Sequence, residues 1–167
     1  KNLVRIYACG PTVYDYAHIG NARMAVVTDL LVRLLKKKFK KVLYVSNITD
    51  VDDKIIKASE ESKVAINEIS EKFHKIYNED MLSLNVMLPN IQPKATDYIN
   101  EMIIMIEKLI KNKCAYLAND HVMFNVESYK YYGTLSRRSV ADQIDGARVE
   151  VSDHKKNARD FILWKPS

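Results

Sequence analysis

One stretch of sequence decides the fold of this chain: Ala8-Cys9-Gly10-Pro11-Thr12-Val13-Tyr14-Asp15-Tyr16-Ala17-His18-Ile19-Gly20-Asn21-Ala22-Arg23. A short apolar run, residues 3–8, precedes it and predicts a buried strand. Apolar residues at helical spacing follow it and place on one side of a helix Val27, Leu30, Leu31, Leu34 and Leu35. The stretch is therefore a strand-to-helix loop. Such loops lie at the carboxyl ends of strands in an open α/β sheet, where ligands bind, and the N–H groups of a helix start suit a phosphate.

The residues after this helix complete a βαβ pattern. A basic run, residues 36–41, ends the helix, where cations are favourable in the field of the helix dipole. The apolar run 42–45 then predicts a second buried strand. A strand, a helix and a strand at this spacing predict two parallel strands joined by a right-handed crossover.

Further helices are predicted between residues 49 and 110. Residues 49–52 resemble a capping box that opens a helix through residues 55 and 56. Apolar residues at helical spacing predict a second helix over 66–77 and a long amphipathic helix over 95–110.

The pattern changes at residue 115. Short strands are predicted at 116–118, 121–126 and 148–151, with Asn119-Asp120 as a hairpin turn between the first two. These strands predict a small β-rich region after the parallel unit.

Composition excludes several classes of protein. The 167 residues are 47% hydrophobic and 28% charged, as in a globular chain rather than a disordered one. The net charge of +5 permits a nucleic-acid partner without demanding one. Two cysteines cannot form a disulfide scaffold and indicate a reducing compartment, and we expect no secretory signal, membrane span or membrane partner. The sequence lacks G-x-G-x-x-G and G-x-x-x-x-G-K-[ST], which argues against NAD-type enzymes and P-loop NTPases.

Residues 9–15 followed by His18-Ile19-Gly20-Asn21 resemble the amino-terminal signature of cysteinyl-tRNA synthetase, a class I aminoacyl-tRNA synthetase. Later stretches agree with that family in the same order, and they are residues 47–54, 115–116, 122–124, 133–137 and 160–165. The resemblance covers essentially the whole chain but only part of the family's length. It implies an α/β fold: residues 1–113 as the first half of a Rossmann-like parallel-sheet catalytic domain, then residues 114–167 as a small β-containing connecting-peptide insertion with the start of the return to the catalytic domain.

The resemblance also implies a reaction. The family activates cysteine with ATP, taken with Mg²⁺, to cysteinyl-adenylate and transfers the cysteine to tRNA(Cys). We therefore expect a cytoplasmic enzyme, monomeric in its full-length form, of which this chain is a truncated part that is inactive alone. Two alternatives stay open: the cysteine ligase of mycothiol synthesis, which shares the catalytic core, and a non-catalytic nucleotide- or RNA-binding module.

Site residues follow from the same signature. The resemblance implies that His18 and Asn21 are catalytic and contact the ATP phosphates, and that Gly20 lets the nucleotide approach the backbone. The family often has a second His at the position of Asn21, and an amide can donate hydrogen bonds there but cannot carry charge. The resemblance further implies that the amino-acid pocket is lined by Gly10, Thr12 and Thr49.

The resemblance makes Cys9 one of four Zn²⁺ ligands, with a second Cys, a His and a Glu expected beyond Ser167. From its residue type alone, a cysteine after a buried strand is more often a small apolar residue. The acids Asp50, Asp52 and Asp53 could suggest magnesium, but acids near a helix start are favourable in any case, so we interpret them as structural.

Overall fold

The computed structural model describes residues 2–137 and 155–166 of the chain. The chain forms two compact units, Lys1–Ile99 and Asn100–Ser167. The contacts divide the chain between residues 99 and 100, and the domain boundary after residue 113 that the resemblance implies stays a prediction.

The first unit is built on the predicted βαβ pattern. Strand β1 (Leu3–Ala8) leads through the 8–23 stretch into helix α1 (Ile19–Lys38), and strand β2 (Lys41–Ser46) follows. The two strands pair in parallel, from Leu3 opposite Lys41 to Ala8 opposite Ser46. The α/β fold with parallel strands is confirmed, and three lysines occupy the last turn of α1 as expected.

Helices α2 (Asp53–Ser62) and α3 (Ile66–Ser83) come next and confirm two further predictions. The chain then returns along the outer edge of β2, where Ser46 N–H donates to Ile91 O at 3.1 Å and Ile48 N–H donates to Pro93 O at 2.8 Å. A 3-10 turn (Ala95–Tyr98) ends this unit's elements. Strand β2 is therefore bonded on both edges, whereas β1 has strand pairing on one edge only among the described residues.

Burial differs from the expectation for β1 and α1. Every second residue of β1 is exposed, so the prediction of a buried strand is wrong for Leu3, Arg5 and Tyr7. Helix α1 buries Ala25, Thr28, Asp29 and Val32, while the apolar side singled out in the sequence is largely exposed, with Leu30 61% exposed. On the buried face, Ala25 packs with Met81 and Val86.

The start of α2 also differs from the capping box predicted over 49–52. The N-cap is Asp52, whose Oδ1 accepts a hydrogen bond from the Lys54 N–H at 3.0 Å. Thr49 lies three residues upstream and pairs with Thr12 in an isolated parallel bridge. The prediction fails because Asp is an equally good N-cap and Thr49 is held by the strand pairing.

The second unit begins with helix α4 (Ile99–Lys111), whose first residue precedes the division, and continues as an antiparallel sheet in the order β3-β4-β5. Strands β3 (Ala115–Ala118) and β4 (His121–Phe124) confirm the predicted hairpin. Its turn residues Asn119 and Asp120 have φ values of 45° and 62°, which is the left-handed geometry of a type I′ turn. Strand β5 (Phe161–Trp164) was not predicted, and the strand predicted at 148–151 lies outside the described residues.

One buried carboxylate holds the second unit together. Asp160 is 1% exposed and accepts hydrogen bonds from Tyr116 Oη at 2.7 Å, Val126 N at 3.0 Å and Asn157 N at 3.1 Å. It thereby ties β3 to the segments on either side of the residues that the structure does not describe. No helix in the described parts of the chain is long and apolar enough to cross a membrane.

Candidate functional site

The loop after β1 lies directly against the end of β2. The Gly10 N–H donates to Asn47 Oδ1 at 3.0 Å. A Cβ atom at residue 10 would overlap the carbonyl oxygen of Asn47, so only glycine fits this crossing. The carboxyl ends of the two parallel strands are thus held together by backbone approach.

Main-chain hydrogen bonds continue this pairing past the strands. The Val13 N–H donates to Thr49 O at 3.1 Å, and the Thr49 N–H donates to Pro11 O at 3.0 Å. Asn47 Nδ2 donates to Thr49 Oγ1 at 3.1 Å. The structure therefore brings Gly10, Thr12 and Thr49, all named from the sequence, to one edge of the sheet.

His18 and Asn21 form a reciprocal cap at the start of α1. His18 Nδ1 accepts from the Gly20 N–H at 3.0 Å, and Asn21 Oδ1 accepts from the His18 N–H at 3.0 Å. A ring nitrogen that accepts carries no proton, so the proton of a neutral ring lies on Nε2. The cap leaves His18 Nε2–H and the Asn21 amide N–H groups as hydrogen-bond donors without a partner in the part of the chain that the structure describes.

Gly20 serves this cap directly. A Cβ atom there would lie 2.7 Å from His18 Cε1 and 2.9 Å from His18 Nδ1. The space that a side chain at residue 20 would need is therefore occupied by the His18 ring, which folds back onto the helix start.

A pocket of about 150 Å³ lies inside this loop. His18, Asn21 and Thr12 line it, whereas Cys9, Gly10, Gly20 and Thr49 do not. Burial, more than a contribution from Tyr44, raises the pKa of the Tyr77 phenol on its wall, so that phenol stays protonated at neutral pH.

The pocket also includes residues that the sequence reasoning did not assign to the site. Lys54 and Phe73 reach it from α2 and α3, and Asp15 lines it from the loop itself. Asp15 lies inside the signature and Lys54 ends the agreeing stretch 47–54, so position in those motifs was the available signal.

The family model described as tRNA synthetases class I (C) catalytic domain matches residues 1–167. The chain belongs to this family. A protein of Parvibaculum lavamentivorans named "Cysteine--tRNA ligase" is 56% identical over 164 residues, which are 98% of this chain and 35% of that protein. A protein of Pelagibacter ubique with the same name is 51% identical over 169 residues, covering 100% of this chain and 37% of that protein. The chain thus spans about a third of the length of the curated relatives it matches.

A solved structure gives the fold independently. The crystal structure titled putative arginyl tRNA synthetase from Campylobacter jejuni superposes with a TM-score of 0.54 at 14% identity. The match covers 77% of this chain and 38% of that one. At this identity the likeness concerns the fold alone.

In this class I synthetase domain two of the acids near α2, Asp50 and Asp52, make hydrogen bonds to the protein itself. Asp50 is buried and accepts hydrogen bonds from Thr96 N at 3.0 Å and from Thr96 Oγ1. Asp52 caps α2. These hydrogen bonds support the structural interpretation of Asp50 and Asp52.

The metal expected at Cys9 has few possible ligands here. Cys9 is an exposed free thiol. Among the described residues of the domain, no group of three or more His, Cys, Asp or Glu side chains could hold a metal ion. A structural or catalytic zinc site needs at least three protein ligands, so the described residues alone do not fit a zinc ion.

Proposed function

We propose that the full-length protein containing this chain is a cysteine–tRNA ligase, which activates cysteine with ATP and transfers it to tRNA(Cys). The observation that carries this proposal is the name shared by the curated relatives, which match nearly the whole chain at about half or more identity. The loop geometry supports it, because side chains with unused donors line a pocket at the carboxyl ends of two parallel strands.

The proposed reaction has two steps. A carboxylate oxygen of cysteine attacks the α-phosphorus of ATP, supplied with Mg²⁺, and the bond to the bridging oxygen breaks, so that pyrophosphate leaves with the electron pair. A hydroxyl of the terminal adenosine of tRNA then attacks the acyl carbon, and AMP leaves. In both steps negative charge develops on the phosphate oxygens of the leaving group, and hydrogen-bond donors that are already in place stabilise this charge.

We assign the donors of the first step to His18 and Asn21. Their mutual cap occupies His18 Nδ1 and Asn21 Oδ1 and leaves Nε2–H and Nδ2–H₂ for phosphate oxygens. The ring and the amide are held by these bonds before ATP arrives, so little ordering remains to be done on binding. Gly20 contributes by accommodating the ring.

We assign the amino-acid end to Gly10, Thr12 and Thr49. The three residues lie where β1 and β2 end, beside the phosphate-binding loop. Thr49 Oγ1 accepts from Asn47 Nδ2, so its own O–H remains available to donate to a substrate.

We also propose Cys9 as one zinc ligand, with the remaining ligands supplied by residues outside the described part of the chain. Its exposed thiol supports this, since a thiolate is a strong zinc ligand and a serine hydroxyl is a poor one. In the full-length protein we expect Cys9→Ser to lower the zinc content measured by elemental analysis, with Cys114→Ser as the control. Equal zinc content in both variants would remove Cys9 from the ligand set.

The proposed setting is the cytoplasm, with the full-length protein a monomer. Two free cysteines in this chain support a reducing compartment. Analytical ultracentrifugation of the full-length protein checks the monomer, and a dimer at working concentration would contradict it.

ATP–pyrophosphate exchange tests the proposal most broadly. The full-length protein is mixed with ATP, labelled pyrophosphate and each of the twenty amino acids in turn. We expect exchange with cysteine alone, followed by labelled cysteinyl-tRNA when tRNA(Cys) is added. Exchange without transfer to tRNA would instead favour a cysteine ligase with another acceptor, and no exchange would favour a binding module.

A further inference from the structure

One positively charged side chain lines the pocket in the 8–21 loop. His18 and Asn21 offer the pocket neutral donors, and Lys54 is the one Lys or Arg among its described lining residues. Asp15 also lines the pocket, but it is exposed to solvent and its Oδ1 already accepts from the Tyr16 N–H at 2.8 Å. A ligand with several phosphate oxygens would therefore meet the His18 and Asn21 donors and one ammonium group in the same pocket.

Lys54 is held in place by groups that do not neutralise its charge. Its backbone N–H is bound by the Asp52 carboxylate, which fixes the residue in the first turn of α2. Its Nζ lies 5.0 Å from the centroid of the Tyr14 ring, a cation–π contact. It forms no ion pair with a carboxylate of the described residues, although acids are close in the chain.

Lys57 lies one turn further along α2 and differs from Lys54 in its contacts. Its Nζ lies 3.8 Å from Glu61 Oε1, and it lines the larger cleft between α2 and α3 without reaching the small pocket. Lys54 lines both. Two lysines on one helix thus differ in two respects. Lys57 is paired with a carboxylate and lies outside the pocket in the 8–21 loop, whereas Lys54 has no ion pair among the described residues and lines that pocket.

We propose that Lys54 is a phosphate-binding residue of this site, contacting the phosphates of a nucleoside triphosphate and of the pyrophosphate that leaves. This inference rests on the function proposed above and adds a residue that it did not use. A charged donor binds phosphate more strongly than a neutral one.

The test compares Lys54→Gln with Lys57→Gln in the full-length protein. Each variant removes one charge from the same helix. For Lys54→Gln we expect the KM for ATP in cysteine-dependent pyrophosphate exchange to rise about tenfold or more, with the KM for cysteine unchanged. Lys54→Arg should recover part of the loss. For Lys57→Gln we expect a change within about twofold, since an exposed ion pair contributes little.

A second measurement uses the unaltered protein and so does not depend on how a variant folds. Lysine acetylation is followed by mass spectrometry with and without ATP. We expect ATP to slow acetylation at Lys54 and to leave Lys57 unaffected. Equal labelling of Lys54 with and without ATP would overturn the inference, as would equal ATP dependence of the two glutamine variants.

The two measurements also separate this inference from the proposed function. If the unaltered protein exchanges pyrophosphate with cysteine but Lys54→Gln behaves like Lys57→Gln, the Lys54 inference fails and the function stands. If the unaltered protein exchanges with no amino acid while ATP still protects Lys54, the function fails and the phosphate contact stands.

Discussion

Two polar clusters of this chain use their hydrogen-bonding groups in opposite ways. Around Asp160, one buried carboxylate accepts three hydrogen bonds, and every partner lies within the second unit. Around His18 and Asn21, each of the two side chains accepts a backbone N–H at the start of α1, and both still keep hydrogen-bond donors for another partner. A carboxylate whose acceptor capacity is used internally stabilises a fold, whereas donors left over beside a pocket indicate a ligand.

The comparison matters because both clusters lie in stretches that resemble the same family. Residues 160–165 agree with it as residues 9–21 do, yet the contacts of Asp160 are structural. Membership in a motif therefore does not distinguish a binding residue from a supporting one. Hydrogen-bond capacity that is still unused is the reason why we propose His18 and Asn21, and not Asp160, as binding residues.

The largest loss of stability is expected from Gly10→Ala. This variant tests whether the 8–21 loop depends on the close approach of Gly10 to the Asn47 backbone. Its Cβ would overlap the Asn47 carbonyl oxygen, so the β1 loop would have to move away from β2. We expect a loss of stability of about 3 kcal/mol or more, since backbone has no room to yield. Hydrogen exchange of the amides in β1 and β2 measures it, and slow exchange as in the unaltered protein would contradict the account.

Asp160→Ala should act on the second unit alone. It leaves the Val126 N–H, the Asn157 N–H and the Tyr116 hydroxyl without their acceptor, at a cost of about 2 to 3 kcal/mol. In the full-length protein, amides of β3 and β4 should exchange faster, while the KM for ATP in the proposed reaction stays unchanged.

Glu107→Ala, which removes an exposed acid from α4 of the same unit, is the control and should alter neither quantity. A raised KM for ATP in Asp160→Ala would mean that the Asp160 cluster also affects ATP binding, which we assign to the cluster of His18 and Asn21.

Much of the fold around the site could be predicted because its causes are local. The strand, loop and helix over residues 3–38 follow from the spacing of apolar residues, and the Asn119-Asp120 turn follows from two residues that tolerate a left-handed backbone. Parallel pairing also explains why Gly10, Thr12 and Thr49 lie at one edge of the sheet.

The rest depends on contacts between distant parts of the chain. The apolar spacing of α1 does not reveal that its small face meets Met81 and Val86. The run of residues 90–95 beside β2 is fixed by hydrogen bonds to strand backbone, which leave no pattern in side chains. The motif that ends at Lys54 marks this residue, but its place in the pocket depends on how α2 packs against the loop.

A smaller effect is expected from Gly20→Ala. This variant should displace the His18 ring while leaving the overall stability nearly unchanged. The new methyl group would lie 2.7 Å from His18 Cε1 and should push the ring off the helix start. Losing the cap lowers the free energy of unfolding by about 1 kcal/mol. Replacing Gly by Ala in a helix raises it by about as much, so the overall stability should change little.

Adenylate formation by Gly20→Ala should nevertheless slow by about tenfold, because one preplaced donor is displaced. Ile19→Ala, at an 85% exposed position beside it, is the control. Equal rates in the two variants would show that the position of the His18 ring does not matter.

The most direct measurement is single-turnover formation of cysteinyl-adenylate by His18→Asn in the full-length protein. Asparagine can still cap α1 through its side-chain oxygen, so the helix start and the stability should be kept, while the donor at Nε2 is lost. The account predicts a rate lower by roughly ten- to a thousandfold, the range typical of removing one preorganised donor. An adenylation rate equal to that of the unaltered protein would contradict the claim that the capped His18 ring binds the phosphates.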